Sequence, residues 1–431
     1  MSRNPLLLPR RTRTFFSVLV LTLLAACGGG SGGDLSPPAT PLTHGDSPRA
    51  QAAAVPKSYS MRMVQLPMGA LQLFPSPHEQ AILNVKGQFI GMMEVGIVYD
   101  PQTETATPLA SPSPGVTVFP TGLNDSGLVA GVMATSGDDA SGFSWTPSTG
   151  AVTFDLSQSE VNGAFIASDG FVGGRDNRFV CGSYTWELST STLLEYPDFC
   201  MEWMNRAGTM LGSRNGVLQI LSRDGQFRTV DPSLPLQSSF SGFLTDDDQV
   251  FLHLGAGQDT GQLQPGAVVI GSAGAVNIGR GLLAAPPGAQ LLGEMAVLYR
   301  VSSTGHAIGN VRYDLEFDDR CLGVPDVSLA FHWSAASGAT ALQDGGRTIE
   351  LRDVNRDGIV IGRSSSLTVP LDRYAFAFTV DTGVVRLDDL VSNLPDGVTL
   401  FDVGAIGDGG HILAWAHQGT SIGWALLTPI P

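Results

Sequence analysis

Residues 120–134 read PTGLNDSGLVAGVMA, from Pro120 to Ala134. Asn-Asp-Ser-Gly is turn chemistry: Asn and Asp side chains bond their own backbone, and Gly takes the left-handed conformation that closes a tight turn. The small and β-branched residues that follow suit a strand that packs closely. The same grammar recurs as NVKGQFIG from Asn84, ASDGFVGG from Ala167, NRAGTMLG from Asn205 and NRDGIVIG from Asn355. Weaker copies start at Asp246 (DDDQVFL), Ser302 (SSTGHAIG) and Gly407 (GDGGHILA). Eight copies at intervals of roughly 37 to 58 residues indicate a repeat architecture.

Each of the first seven copies is followed by a strand, a tight turn and a second strand, as in GFSWTPSTGAVTFDL from Gly142. In five of them an aromatic side chain precedes the turn: Tyr99, Trp145, Trp186, Trp333 and Phe378. Such a position suits packing of one sheet on the next. No stretch has helical period. The unit is therefore a small antiparallel sheet that cannot cover both faces alone, and repetition around an axis solves that problem. The expectation is an all-β fold, a β-propeller of eight blades, or seven if the copy near Asp246 is an insertion. A sandwich and an open solenoid are the alternatives. The last copy, ending SIGWALLTPIP, lacks its second half, and SYSMRMVQLPMG from Ser58 has no leading turn. An N-terminal strand completing the last blade would close the ring without a free edge.

The turn-Gly-strand-Gly half, followed by an aromatic strand and a TG-x-V-x-x-L turn, resembles the HAF-type extracellular repeat family over about residues 78–428. The His-Ala-Phe tripeptide that gives the family its name is absent, YAF from Tyr374 and LAF from Leu329 standing nearest. The resemblance implies secretion and a repeat architecture, and carries no catalytic residues.

The chain has 431 residues, 43% of them hydrophobic and only 15% charged, with 53 Gly and 27 Pro. Arg3, Arg10, Arg11 and Arg13 precede a twelve-residue apolar stretch ending Leu24-Ala25-Ala26-Cys27. This resembles a bacterial lipobox and implies that residues 1–26 are a signal peptide and that Cys27 is lipidated. Residues 27–57 then read as a flexible Gly/Ser/Pro/Ala tether, and 58–431 as one repeat domain. Without residues 1–26 the side chains balance at 20 basic against 40 acidic, or −20. That balance argues against nucleic acid, whose phosphates require a basic face. It leaves the lipid as the link to the membrane. The expected location is the cell envelope, on the outer membrane.

Cys181 and Cys200 are placed symmetrically about residue 190.5, which suggests a disulfide across one hairpin; Cys321 is left over. Asp353, Asn355 and Asp357, with Gly358, spell the first half of a calcium loop, but Ser364 stands where a closing Glu belongs. Calcium is thus the one cofactor raised, beside the reading as a plain turn. Asp125, Asp169, Asp248, Asp357 and Asp408 all lie in the recurrent turns, so a closed ring predicts an acidic rim open to a cation or a basic partner. No nucleophile with its base, phosphate loop or zinc spacing occurs, so no catalytic residue is assigned. The expected function is a non-catalytic lipoprotein scaffold binding a protein or glycan. An envelope-assembly accessory and a secreted propeller hydrolase or lyase are the alternatives.

Overall fold

The computed structural model describes residues 55–430 except 65, 67–81, 112–113, 135–139, 155–160, 177–180, 231–240, 255–264, 272–273, 283–288, 318–326 and 370. Cys27 and Cys321 lie outside the described residues. The chain opens with β1 (Tyr59–Met63). Blade 1 holds β2 (Phe89–Met92), β3 (Gly96–Asp100) and β4 (Thr105–Pro108). Blade 2 holds β5 (Thr117–Leu123), β6 (Val129–Ala134), β7 (Ala140–Thr146) and β8 (Gly150–Phe154). Blade 3 holds β9 (Val161–Ile166), β10 (Phe171–Asp176), β11 (Ser183–Glu187) and β12 (Thr192–Tyr196). Blade 4 holds β13 (Phe199–Met204), β14 (Met210–Arg214), β15 (Val217–Leu221) and β16 (Phe227–Thr229). Blade 5 holds β17 (Ser241–Leu244), β18 (Val250–Leu254), β19 (Gly266–Gly271) and β20 (Gly274–Asn277). Blade 6 holds β21 (Ala289–Val301), β22 (Ala307–Phe317), β23 (Val327–Ser334) and β24 (Gly338–Ala341). Blade 7 holds β25 (Thr348–Val354), β26 (Val360–Ser365), β27 (Arg373–Thr379) and β28 (Gly383–Arg386), followed by the one-turn helix α1 (Leu387–Leu390). Blade 8 holds β29 (Val398–Ile406), β30 (Ile412–Gln418) and β31 (Ser421–Pro429).

These are eight antiparallel sheets, an eight-bladed β-propeller. The weak copy near Asp246 heads blade 5, so the count is eight and not seven. In blade 1 a bridge between Leu83 and Phe89 supplies the inner position. In blade 8, β1 pairs with β31, Tyr59 facing Pro429 and Met63 facing Ala425. Blades 8 and 1 share one core, in which Leu413, Trp424 and Leu426 meet Leu83, Phe89 and Tyr99.

The aromatic markers pack as the repeat requires. Tyr99, Trp145, Trp186 and Phe378 are buried in the cores between blades, and Trp333 packs against one. Two residues before three of them, Phe143, Phe331 and Phe376 lie across the strand glycines Gly131, Gly309 and Gly362. A Cβ on any of these would stand under 3 Å from the ring. At these three positions the glycine that ends the turn motif is therefore space for an aromatic ring, and a larger side chain there would overpack the blade.

The cysteines require a correction. The hairpin of β11 and β12 pairs Ser183 with Tyr196 and Glu187 with Thr192, so its centre falls one residue earlier than the spacing suggests. Cys200 lies in β13, beyond that hairpin. Cys181 and Cys200 are bonded, with Cα atoms 4.6 Å apart, and the bond staples blade 3 to the inner strand of blade 4.

Candidate functional site

The recurrent turns assemble on one face around the axis, and the four that carry an Asn use it twice. In blade 1, Asn84 Oδ1 accepts the amides of Lys86 and Gln88, and its Nδ2 donates to Asn124 O of blade 2. Asn124, Asn205 and Asn355 do the same, with their Nδ2 groups donating to Ala167, Thr245 and Gly407 carbonyls. One side chain thus closes its own turn and ties it to the next blade. All four are buried; an unbonded amide there would be costly.

The residue after the Asn position reaches back. Asp125, Asp246 and Asp408 accept the backbone amides of Val85, Arg206 and Arg356, each in the preceding blade. Where Arg206 or Ser303 holds that position, its backbone carbonyl replaces the carboxylate: Ser168 N donates to Arg206 O, and Asp246 N to Ser303 O. Between blades 6 and 7 the Thr304 hydroxyl donates to Arg356 O.

The residue after the turn Gly completes the contact. His306 packs over Gly358, Gln88 over Gly127, Phe171 over Gly208, and His411 over Gly87 where blade 8 meets blade 1. Gly358 has φ +76°, and a Cβ there would stand 2.6 Å from His306 Cε1. Only glycine satisfies both the left-handed backbone and the close approach.

The inner strands end at a shared mouth lined by Ile82, Leu123, Ile166, Met204, Leu244, Val301, Val354 and Ile406, one residue from each blade. The cavity measures about 120 Å³, below the roughly 300 Å³ at which small-molecule pockets begin. Arg206 of blade 4 spans it. Its guanidinium bonds Asp408 of blade 8 and lies 3.7 Å from Asp125 of blade 2. Below it, Arg300 faces Asp353 at 3.9 Å.

Farther along the inner strands, Arg363 bonds both Glu350 and Asp402, and Arg352 also reaches Asp402. Arg175 of blade 3 bonds Glu202 of blade 4 at 2.6 Å. Burial pushes the Glu202 carboxyl up to about 7 despite that partner. Glu202 does not line the mouth.

The five carboxylates read from sequence as a rim do not share one position. Asp125 and Asp408 occupy the latch position and also meet Arg206. Asp169 and Asp357 sit one residue later; Asp169 bonds Arg223. Burial raises the Asp169 carboxyl, but the Arg223 bonds outweigh it and hold it below the usual range. Asp248 stands at the glycine position itself, with φ +63°, and bonds Arg228 at 3.0 Å. Asp246, read from sequence as part of a turn but not of the rim, is the third latch carboxylate, and burial raises its pKa.

Two of the suggested calcium ligands already carry backbone hydrogen bonds. Asn355 Oδ1 accepts two amides of its own turn. Asp353 accepts the amides of Val354 and Ile406, so its oxygens serve the chain between blades 7 and 8. Among the described residues no three His, Cys, Asp or Glu side chains are grouped to hold a metal. Arg206 and Glu202 were not found from sequence. Aligning the turns does place Arg206 in register with Asp125 and Asp408, which was the available signal.

No protein-family model and no curated protein sequence matches the chain. Among solved structures, virginiamycin B lyase from Staphylococcus aureus is 9% identical at TM-score 0.40, covering 86% of this chain and 100% of its own. The propeller domain of the trilobed protease from Pyrococcus furiosus, described as having an open velcro topology, is 10% identical at TM-score 0.40, covering 71% and 92%. Oligogalacturonate lyase from Vibrio parahaemolyticus is 10% identical at TM-score 0.42, covering 78% and 93%. The fold rests on the strand topology described above, and no chemistry passes from these structures to this chain.

Proposed function

We propose that this chain is a non-catalytic propeller scaffold of the cell envelope, held by lipid at Cys27 and binding a protein or glycan. The observation that carries this reading is the mouth. In an enzyme of this architecture the axis is the place for convergent acids and bases in a roomy pocket. Here Asp125, Asp246, Asp353 and Asp408 serve interblade bonds and Arg206 lies across the opening. Charges committed in this way stabilise a ring, which is the role this reading gives them.

The test is turnover. Residues 28–431 should leave polyuronates, neutral glycans and peptides uncleaved above the background of the Glu202→Gln variant. Cleavage that Glu202→Gln or Arg206→Met abolishes would replace the scaffold by a hydrolase or lyase. Lipidation is read separately, as loss of membrane-fraction recovery in Cys27→Ala.

A further inference from the structure

At the junction of blades 8 and 1, β1 forms the outer edge of blade 8. The outer part of this junction is unsealed. A cleft of about 480 Å³ opens there, within the roughly 300–1,000 Å³ typical of small-molecule sites. Blade 8 supplies Ser60, Arg62, Thr428 and His411, and blade 1 supplies Lys86 and Gln102. Elsewhere the faces between blades are filled by side chains such as Phe154, Leu193 and Phe227. Here β1 turns Ser60 and Arg62 away from its buried neighbours Tyr59 and Met61.

The chemistry of the cleft is one-sided. Among the described residues no carboxylate lines it, in a chain with 40 acidic residues against 24 basic. One of the chain's two lysines, Lys86, is in it, and the other, Lys57, stands three residues before Ser60. Among the described residues Lys86 Nζ has one bond, a long one of 3.5 Å, to Ser126 O. Arg62 donates to Pro101 O at 2.7 Å and pairs with Glu104, but both charged groups are more than half exposed. An exposed pair of that kind holds weakly and yields to a better anion. His411, half-buried, lines the cleft as well.

We infer that this cleft is a binding site for a small acidic sugar, its carboxylate or phosphate held between Lys86 and Arg62 and its hydroxyls by Ser60, Gln102 and Thr428. Arg offers a planar fork for such an anion and Lys a compact charge. The hydroxyl and amide side chains match a hydroxylated ring better than an apolar one. This deepens the reading of the chain as a binding propeller. The two fail separately: turnover sinks the scaffold, whereas an empty cleft leaves it standing.

The experiment is calorimetric titration of residues 28–431 with glucuronate, glucose 6-phosphate, glucose and inorganic phosphate, with ligand-observed NMR for weak binders. Binding of glucuronate or the sugar phosphate is expected, with neutral glucose at least about tenfold weaker. Whichever acid binds tighter identifies the anion, and inorganic phosphate alone reports the charge without the ring. Lys86→Gln is expected to weaken the acid about tenfold, and Lys86→Gln with Arg62→Gln to abolish binding. Both variants replace exposed or half-buried groups, and an unchanged Tm verifies the fold. Equal affinity for glucose and glucuronate, retained binding in the double variant, or no binding of either acid at millimolar concentration would overturn the site.

Discussion

At the scale of single residues, the fold depends on positions where one side chain meets two demands. Gly358 is the sharpest case, with a left-handed φ and the His306 ring against its Cα. Gly358→Ala is expected to destabilise the domain by about 1–3 kcal/mol, read by denaturant unfolding. Gly150→Ala is the control: its φ is +65° but nothing lies within 4 Å, so it carries the backbone cost alone. Glu202 gives a pH signature. Its carboxyl is raised from 4.5 to about 7 by burial, so the folded state holds a proton that the unfolded chain releases. That contribution is complete below pH 4.5 and is lost as pH rises through about 7. Stability therefore falls across this window by up to about 1.4 kcal/mol per pH unit. Comparing unfolding of the natural chain and Glu202→Gln from pH 4.5 to 7 checks it, and the variant is expected to lack that slope. His332 acts at the other end. Burial, reinforced by His306, lowers it to about 3, so acid below pH 6.5 favours the unfolded chain.

At the scale of elements, the unit that matters is the turn with its neighbour. An Asn closes its own loop and grips the following one, and an Asp of the following loop grips back. Half of this was legible in the sequence. Asn-x-x-Gly ahead of small and β-branched residues is local chemistry, and local chemistry repeats visibly. The aromatic markers were legible for the same reason, since a fixed spacing from the turn puts each ring between blades. What Asp125 or Asp408 does was not legible, because its amide partner lies 40 or 52 residues away and depends on how blades face each other. The cysteine pairing illustrates the limit. Symmetry about residue 190.5 suggested a hairpin clasp, yet the strand register places Cys200 in blade 4. The bond closes a separation of 19 residues, so Cys181→Ser is expected to cost about 3 kcal/mol. Thermal unfolding with and without reductant checks this: reductant should lower the Tm of the natural chain and leave the variant unmoved.

At the scale of the whole molecule, eight sheets build one propeller, and β1 completes blade 8 by pairing with β31. The charges around the axis are best understood as part of that closure. Arg206 contacts Asp408 across 202 residues of sequence, and no local pattern announces such a pair. The same distance in sequence hides the cleft between blades 8 and 1, whose walls join Arg62, Lys86 and Gln102 to Asn393, His411 and Thr428. The central claim is that the mouth is structural and not catalytic, and removing Arg206 tests it most directly. Groups kept for function commonly sacrifice stability, so deleting one tends to stabilise. A group that neutralises a buried carboxylate does the opposite, since Asp408 would be left nearly buried without its partner. The measurement is the Tm of Arg206→Met beside the natural chain at neutral pH. The structural account expects a fall of a few degrees, and an unchanged or higher Tm would contradict it.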